Sequence, residues 1–262
     1  MPMRNRFDRR AATAVLTAGV LAAAGLAAAV TPAAAVHGGR NTTVKAHPYA
    51  MLIETSDGRQ VCGGTLVAPA KVLTAAHCVA DADAALALRV VGGRTSLAGT
   101  EGTVRGIASV RLHPKFEQAR LTYDAAVLEL SAPMPYAPLP VAGSRDSALY
   151  TLGKKAKAVG WGRTARDTPA TRLKSAVLVL APLKTCEPFT EPTDSRALKV
   201  CGAPTAGTYD SICRGDSGGP LVAGGKVIGI VSTGNKYCDN DHPDSVFTRT
   251  SAVAGALGLP VS

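Results

Sequence analysis

The sequence predicts an all-β protein, a barrel or a sandwich, and three observations carry that reading. Short apolar runs, mostly of strand length and often β-branched, recur along the chain. Clusters of Gly, Pro, Asp and Ser punctuate them, in a chain of 262 residues that holds 27 Gly and 17 Pro. No long helical periodicity alternates with these runs, which argues against a doubly wound α/β fold.

A different kind of segment stands before the strands. Arg4, Arg6, Arg9 and Arg10 precede an uncharged stretch from Ala11 to Ala29, and small residues close it at Ala33-Ala34-Ala35. Residues 1–35 are expected to be a secretory signal peptide, cleaved after Ala35. The stretch is rich in Ala and Gly rather than Leu, which argues against an uncleaved anchor, and no other run approaches the length of a membrane span. Removing it takes away four Arg and one Asp and lowers the net charge from +10 to +7. The expected location is extracellular. All six cysteines stay in the exported part, where disulfides persist and fifteen pairings are possible.

Strands are expected at Ala50–Ile53, Gly64–Val67, Val72–Thr74, Leu86–Val91, Ala125–Leu130, Ala156–Val159, Ala176–Leu180, Leu221–Val222 and Val227–Val231. The Pro-rich stretch Ala132–Ala142 reads as a connector, so a boundary near 145 divides the mature chain into 36–145 and 146–262. A short terminal helix is expected over Ser251–Leu257, stopped by Gly258 and Pro260. With 46% hydrophobic and 18% charged residues the chain is not of disordered composition. Its basic residues are scattered without aromatic partners, which is poor support for a nucleic-acid surface.

Three islands carry chemistry. In Leu73-Thr74-Ala75-Ala76-His77-Cys78, the His is compatible with a metal ligand, a packing residue or a catalytic base. In Thr122-Tyr123-Asp124-Ala125-Ala126-Val127-Leu128, an acid opens an apolar strand, compatible also with a turn or cap. In Cys213-Arg214-Gly215-Asp216-Ser217-Gly218-Gly219-Pro220, a Ser stands among glycines, either as a simple turn or because glycines let backbone N–H groups converge on a nucleophile.

Taken together, in the order His, Asp, Ser, these islands resemble the trypsin/chymotrypsin family of serine endopeptidases. The likeness runs from Val36 to about Ala254. It extends to Val36-His37-Gly38-Gly39, Pro48-Tyr49, Cys62-Gly63-Gly64-Thr65-Leu66, Val159-Gly160-Trp161-Gly162, and Ser232 before Gly234. The resemblance implies two six-stranded antiparallel barrels with the active site between them. It makes Ser217 the nucleophile, His77 the base and then the acid, and Asp124 the group that orients the imidazole. Gly215 and Ser217 would supply the oxyanion hole. It pairs Cys62 with Cys78, Cys186 with Cys201, and Cys213 with Cys238. No metal or other cofactor is implied.

In the family a new N-terminal amine inserts and pairs with the Asp before the catalytic Ser, here Val36 with Asp216. The expected signal-peptidase site lies directly before Val36, so export itself could generate that terminus. Cleavage several residues earlier, as after Ala29, would leave a short propeptide instead. His37 departs from the aliphatic residue usual there. For the specificity pocket, strict counting back from Ser217 puts Ser211 at the floor, as in chymotrypsin-like members. Allowing Ile212 as a bulge puts Asp210 there, which would select Arg or Lys by charge. The second option is preferred here, and large apolar residues are the alternative. Ser232, Gly234, Asp244 and Ser245 would line the walls, with Gly234 leaving the entrance open. The partners implied are protein or peptide substrates and protein inhibitors, with no nucleic acid, no stable membrane insertion and a monomeric state. A catalytically inactive, protease-like binding protein is the remaining class.

Overall fold

The computed structural model describes Met1 and residues 36–261, so the expected signal peptide lies outside the described residues. The first strand, β1 (Arg40–Asn41), is a short addition to the second of two closed barrels. The first barrel contains β2 (Ala50–Glu54), β3 (Gln60–Ala68), β4 (Lys71–Thr74), β5 (Arg89–Gly92), β6 (Thr103–Leu112) and β7 (Ala126–Leu130). They close in the order β2-β3-β4-β7-β6-β5, all antiparallel. A short helix, α1 (Ala82–Leu86), interrupts between β4 and β5, with the Asp81 carboxylate accepting from Ala84 N–H at its start.

The second barrel contains β8 (Lys155–Gly160), β9 (Lys174–Ala181), β10 (Lys199–Pro204), β11 (Pro220–Ala223), β12 (Lys226–Gly234) and β13 (Ser245–Arg249). They run β9-β10-β13-β12-β11-β8, and the β8–β9 pairing closes the ring. A short helix, α2 (Thr250–Val253), follows. The all-β class, the two six-stranded barrels and the terminal helix are all present; the helix is shorter than the expected Ser251–Leu257.

Each barrel has its own apolar filling. Met51, Ile53, Leu66, Val72, Val90 and Leu128 fill the first; Leu178, Leu180, Leu221, Ile228 and Phe247 fill the second. Two further clusters span the seam. One joins Leu73, Ala125 and Val127 of the first barrel to Val227, Ile230 and the C-terminal Val253 and Leu257. The other joins Leu52 and Val91 to Val159, Trp161 and Leu173. Apolar burial on this seam is what holds two closed rings together.

Four strands, β1, β6, β10 and β13, fall outside those expected from the sequence. The ten residues of β6 are mostly exposed or half-buried, with Arg105, Gly106 and Arg111 interrupting the apolar pattern. In β10, Gly202 and Pro204 break a short run. Leu86, expected to open a strand, instead ends α1.

Candidate active site

Strand pairing brings His77 and Asp124 together. Thr74, the last residue of β4, pairs with Ala126, the first of β7. A residue three beyond Thr74 and one two before Ala126 therefore leave the first barrel at the same end. His77 sits in a single 3₁₀ turn, Ala76–Cys78. Before Asp124 the backbone takes left-handed φ values at Leu121 (48°) and Tyr123 (49°). The His113 ring stacks on Tyr123 at 4.7 Å, and His113 N–H donates to Ala125 O.

The Asp124 carboxylate is fully buried and takes three donors. His77 N–H reaches Oδ1 at 2.9 Å, and His77 Nδ1 lies 2.7 Å from Oδ2. Ser232 Oγ–H donates to Oδ2 at 2.6 Å. A carboxylate only accepts, so Nδ1 carries the hydrogen and Nε2 of the neutral ring is left as an acceptor. Ser232 reaches this carboxylate because of a bulge: Val231 pairs with Phe247 and Thr233 with Val246, so Ser232 has no opposite residue. A bulge re-aims a side chain.

The Ser217 loop packs on the same place. Gly63 N–H donates to Ser217 O at 2.7 Å, and Gly218 N–H to Val231 O at 2.8 Å. Gly218 has φ of 79°, and a Cβ there would stand 3.1 Å from Ala75 N and closer still to Thr74 Oγ1 and Gly63 O. The approach of this loop to the His77 segment therefore requires glycine. Ser217 and His77 side chains share no hydrogen bond among the described residues; such bonds commonly form only with substrate in place. The N–H groups of Gly215 and Ser217 flank the serine, and among the described residues neither donates to a protein acceptor.

Asp216 points inward, away from Ser217. Its carboxylate accepts from Gly162 N–H at 2.7 Å and Cys213 N–H at 2.9 Å. Burial pushes this carboxyl up to about 7, against the pull of those two donors. Gly160 and Gly162 shape the cradle, since a Cβ on either would run into the Asp216 carboxyl. Val36 is fully buried in the second barrel's filling beside Ile212. Ser211 N–H donates to His37 O at 3.0 Å. The His37 ring lies 2.8 Å from Thr164 O through Nδ1 and 2.8 Å from Asn240 Oδ1 through Nε2.

The residues expected around the specificity pocket divide into two groups. Ser211 and Ser245 are fully buried. Asn235 Nδ2 donates to Ser211 Oγ at 3.0 Å, and Ile212 N–H to Ser245 Oγ at 3.0 Å. Asn235 N–H donates to Asp244 O at 3.1 Å. A Cβ on Gly234 would stand 3.0 Å from Ile212 Cδ1 and 3.1 Å from Ser245 Cα, so the apolar end of Ile212 faces Gly234. Asp244 is half-buried, and burial raises its carboxyl against the pull of His242.

Asp210 is turned the other way. It lies against Gly38 in a separate surface cavity of about 590 Å³, with His37, Arg40, Lys157 and Tyr209. Burial raises its carboxyl while Arg40 and His37 pull it down. The reason is alternation. Ser211 pairs with His37 in extended backbone, so the side chain before it leaves on the other face.

The disulfides are Cys62–Cys78, Cys186–Cys201 and Cys213–Cys238, with Cα separations of 6.3, 5.9 and 5.5 Å. These are the pairs the resemblance implies. The candidate ligand atoms of Cys62, His77 and Cys78 lie within 4.8 Å of one another, yet the two sulfurs are bonded to each other and neither is a thiolate ligand. Residues that sequence reasoning passed over are Gln60, whose Nε2 donates to Gly215 O at 2.7 Å, and Asn235. The glycines of Val159-Gly160-Trp161-Gly162 were the visible trace of the Asp216 cradle.

Comparison with known proteins gives the same family. The trypsin family model matches residues 36–257. A trypsin of Saccharopolyspora erythraea is 37% identical, covering 84% of this chain and 95% of its own length. Trypsin iota of Drosophila melanogaster is 31% identical over 87% of this chain and 90% of its own, and a chymotrypsin of Phaedon cochleariae is 31% identical over 85% and 81%. With its double barrel and a family match that begins at Val36, the chain belongs to the trypsin family of serine endopeptidases.

Proposed function

We propose that the protein is an exported endopeptidase that cleaves peptide bonds through Ser217, His77 and Asp124. The observation that carries this is the buried Asp124 carboxylate on His77 Nδ1, which leaves Nε2 as the proton acceptor. In this reading Nε2 takes the Ser217 hydroxyl proton as Oγ attacks the scissile carbonyl. Asp124 holds the tautomer and stabilises the imidazolium. The carbonyl oxygen becomes an oxyanion and receives the N–H groups of Gly215 and Ser217. His77 then gives its proton to the leaving amine as the C–N bond breaks. Water, deprotonated by His77, cleaves the acyl-enzyme and returns Ser217.

The pocket favours an uncharged, apolar side chain before the scissile bond. The buried groups at its floor are the Ser211 and Ser245 hydroxyls, already bonded, and Ile212 faces Gly234. The Asp210 carboxylate that would select Arg or Lys lies in the other cavity. Signal-peptide removal after Ala35 frees the Val36 amine to pair with Asp216.

An organophosphonate should label Ser217, and N-terminal sequencing of the secreted protein should begin at Val36. Chromogenic peptides ending in Phe, Ala or Arg should be cleaved in favour of Phe. Preference for Arg would overturn the pocket reading alone. No labelling of folded protein would overturn the catalytic one.

A further inference from the structure

The segment that delivers Asp124 is held from the other barrel. Between β6 and β7 the chain is exposed over residues 117–120 and returns through Leu121, Thr122 and Tyr123. Leu121 and Tyr123 take left-handed φ, 48° and 49°, which neither side chain favours. Such backbone persists only where its surroundings over-determine it. From the first barrel, Glu117 N–H donates to Thr122 O, Thr122 Oγ–H donates to the Glu117 carboxylate, and the His113 ring stacks on Tyr123. Among the described residues no hydrogen bond from that side reaches Arg120 or Leu121.

The second barrel supplies those contacts. Arg120 Nη2 donates to Thr193 Oγ1 at 2.8 Å and lies 3.5 Å from Glu191 Oε2. Lys199, the first residue of β10, donates from Nζ to Arg120 O at 3.4 Å. The same ammonium lies 2.8 Å from Asp194 Oδ1, and both side chains are more than nine-tenths buried. Asp194 Oδ2 accepts from Glu191 N–H at 2.9 Å, and Asp194 N–H donates to Glu191 O at 2.9 Å. One carboxylate therefore closes the 191–194 turn that presents Thr193, and also anchors Lys199. A buried Lys needs a partner, and this one finds it within its own barrel. A second of its three donors goes to the segment before Asp124.

Only Leu121, Thr122 and Tyr123 separate Arg120 from Asp124. A change of backbone region at Leu121 or Tyr123 redirects the chain that follows, so a loosened Arg120 is felt at the carboxylate that holds His77 N–H and Nδ1. We propose that Arg120 and Lys199 are positioning residues: they clamp the run 121–123 and so keep Asp124 on His77, tying the geometry of the acid to the 191–194 turn of the second barrel. The inference rests on the peptidase reading above and adds what holds its acid in place.

The test uses the chain beginning at Val36 and two variants. Arg120→Ala removes an exposed side chain. Lys199→Met is made together with Asp194→Asn, because Lys199→Met alone would leave a buried carboxylate unpaired. On a peptide nitroanilide, kcat should fall about fivefold in the first and about twentyfold in the second, with KM within about twofold of the unmodified chain. The proton on His77 Nδ1, hydrogen-bonded to a carboxylate, resonates far downfield of the amides. It should be sharp in the unmodified chain and broadened by solvent exchange in both variants. Unchanged kcat and an unchanged resonance in the folded variants overturn the clamp, and so does a rise in KM alone. Arg120→Ala decides by itself where the double variant does not fold. If the unmodified chain leaves the nitroanilide intact, the peptidase reading fails; the resonance, read without turnover, still decides whether Arg120 and Lys199 hold Asp124 on His77.

Discussion

At the scale of single residues, the site depends on side chains that are missing as much as on those present. Gly162 is the clearest case, because a Cβ there would meet three atoms of the Asp216 carboxyl within 2.6 Å. Gly162→Ala is expected to push Asp216 out of its cradle and cost about 1–3 kcal/mol of stability. Nitroanilide hydrolysis should fall more than about tenfold, since the Asp216 loop carries Gly215 and Ser217. A denaturation midpoint and an initial rate check both, and an unchanged rate would mean that the cradle does not position the oxyanion donors. At this scale the sequence was readable where chemistry is local: His77, Asp124 and Ser217 each sit in a short motif. It was ambiguous where one residue of register decides a direction. Asp210 and Ser211 are neighbours, and alternation turns Ser211 onto Asn235 and Asp210 toward Arg40 and His37. It was silent on Gln60 and Asn235, which meet Gly215 O and Ser211 Oγ only through folding.

At the scale of elements, turns and bulges position the chemistry while the strands supply register. The pairing of β4 with β7 sets His77 beside Asp124, and the bulge in β12 turns Ser232 onto the same carboxylate. Such pairings are long-range, and apolar runs reveal that strands exist without saying which ones meet. The N-terminal segment gains an unusual fastening from His37, which bridges Thr164 and Asn240. Replacing it by the family's usual aliphatic residue, His37→Val, removes both bonds, at about 1 kcal/mol each. In a Ser217→Ala background, limited trypsin nicking at Arg163, Arg166 or Lys236 should then speed up about thirtyfold, with His37→Gln between the two. Equal nicking in His37→Val would show that the ring holds neither segment.

At the scale of the whole molecule, one buried carboxyl reports whether the amino terminus is free. While residue 35 remains attached, Asp216 sits at about 7 in the folded chain against 3.8 ordinarily. The folded form then keeps a proton that the unfolded form releases. Stability must fall as pH rises from about 4 to 7, by at most about 1.4 kcal/mol per pH unit, and level off outside that window. A chain beginning at Val36, with its amine on Asp216, keeps the carboxylate ionised and should lack this slope. Melting temperatures across pH 4–7 of the two forms, both carrying Ser217→Ala, should diverge as pH rises; parallel curves would deny the Val36–Asp216 pair. The seam between the barrels has a consequence for the cell that makes the protein. His77 and Asp124 come from one ring, Ser217 and Ser232 from the other, and the apolar seam clusters form only when both rings are complete. A half-folded chain therefore carries no assembled cutting site, and the proteins around it are safe from it until folding has finished.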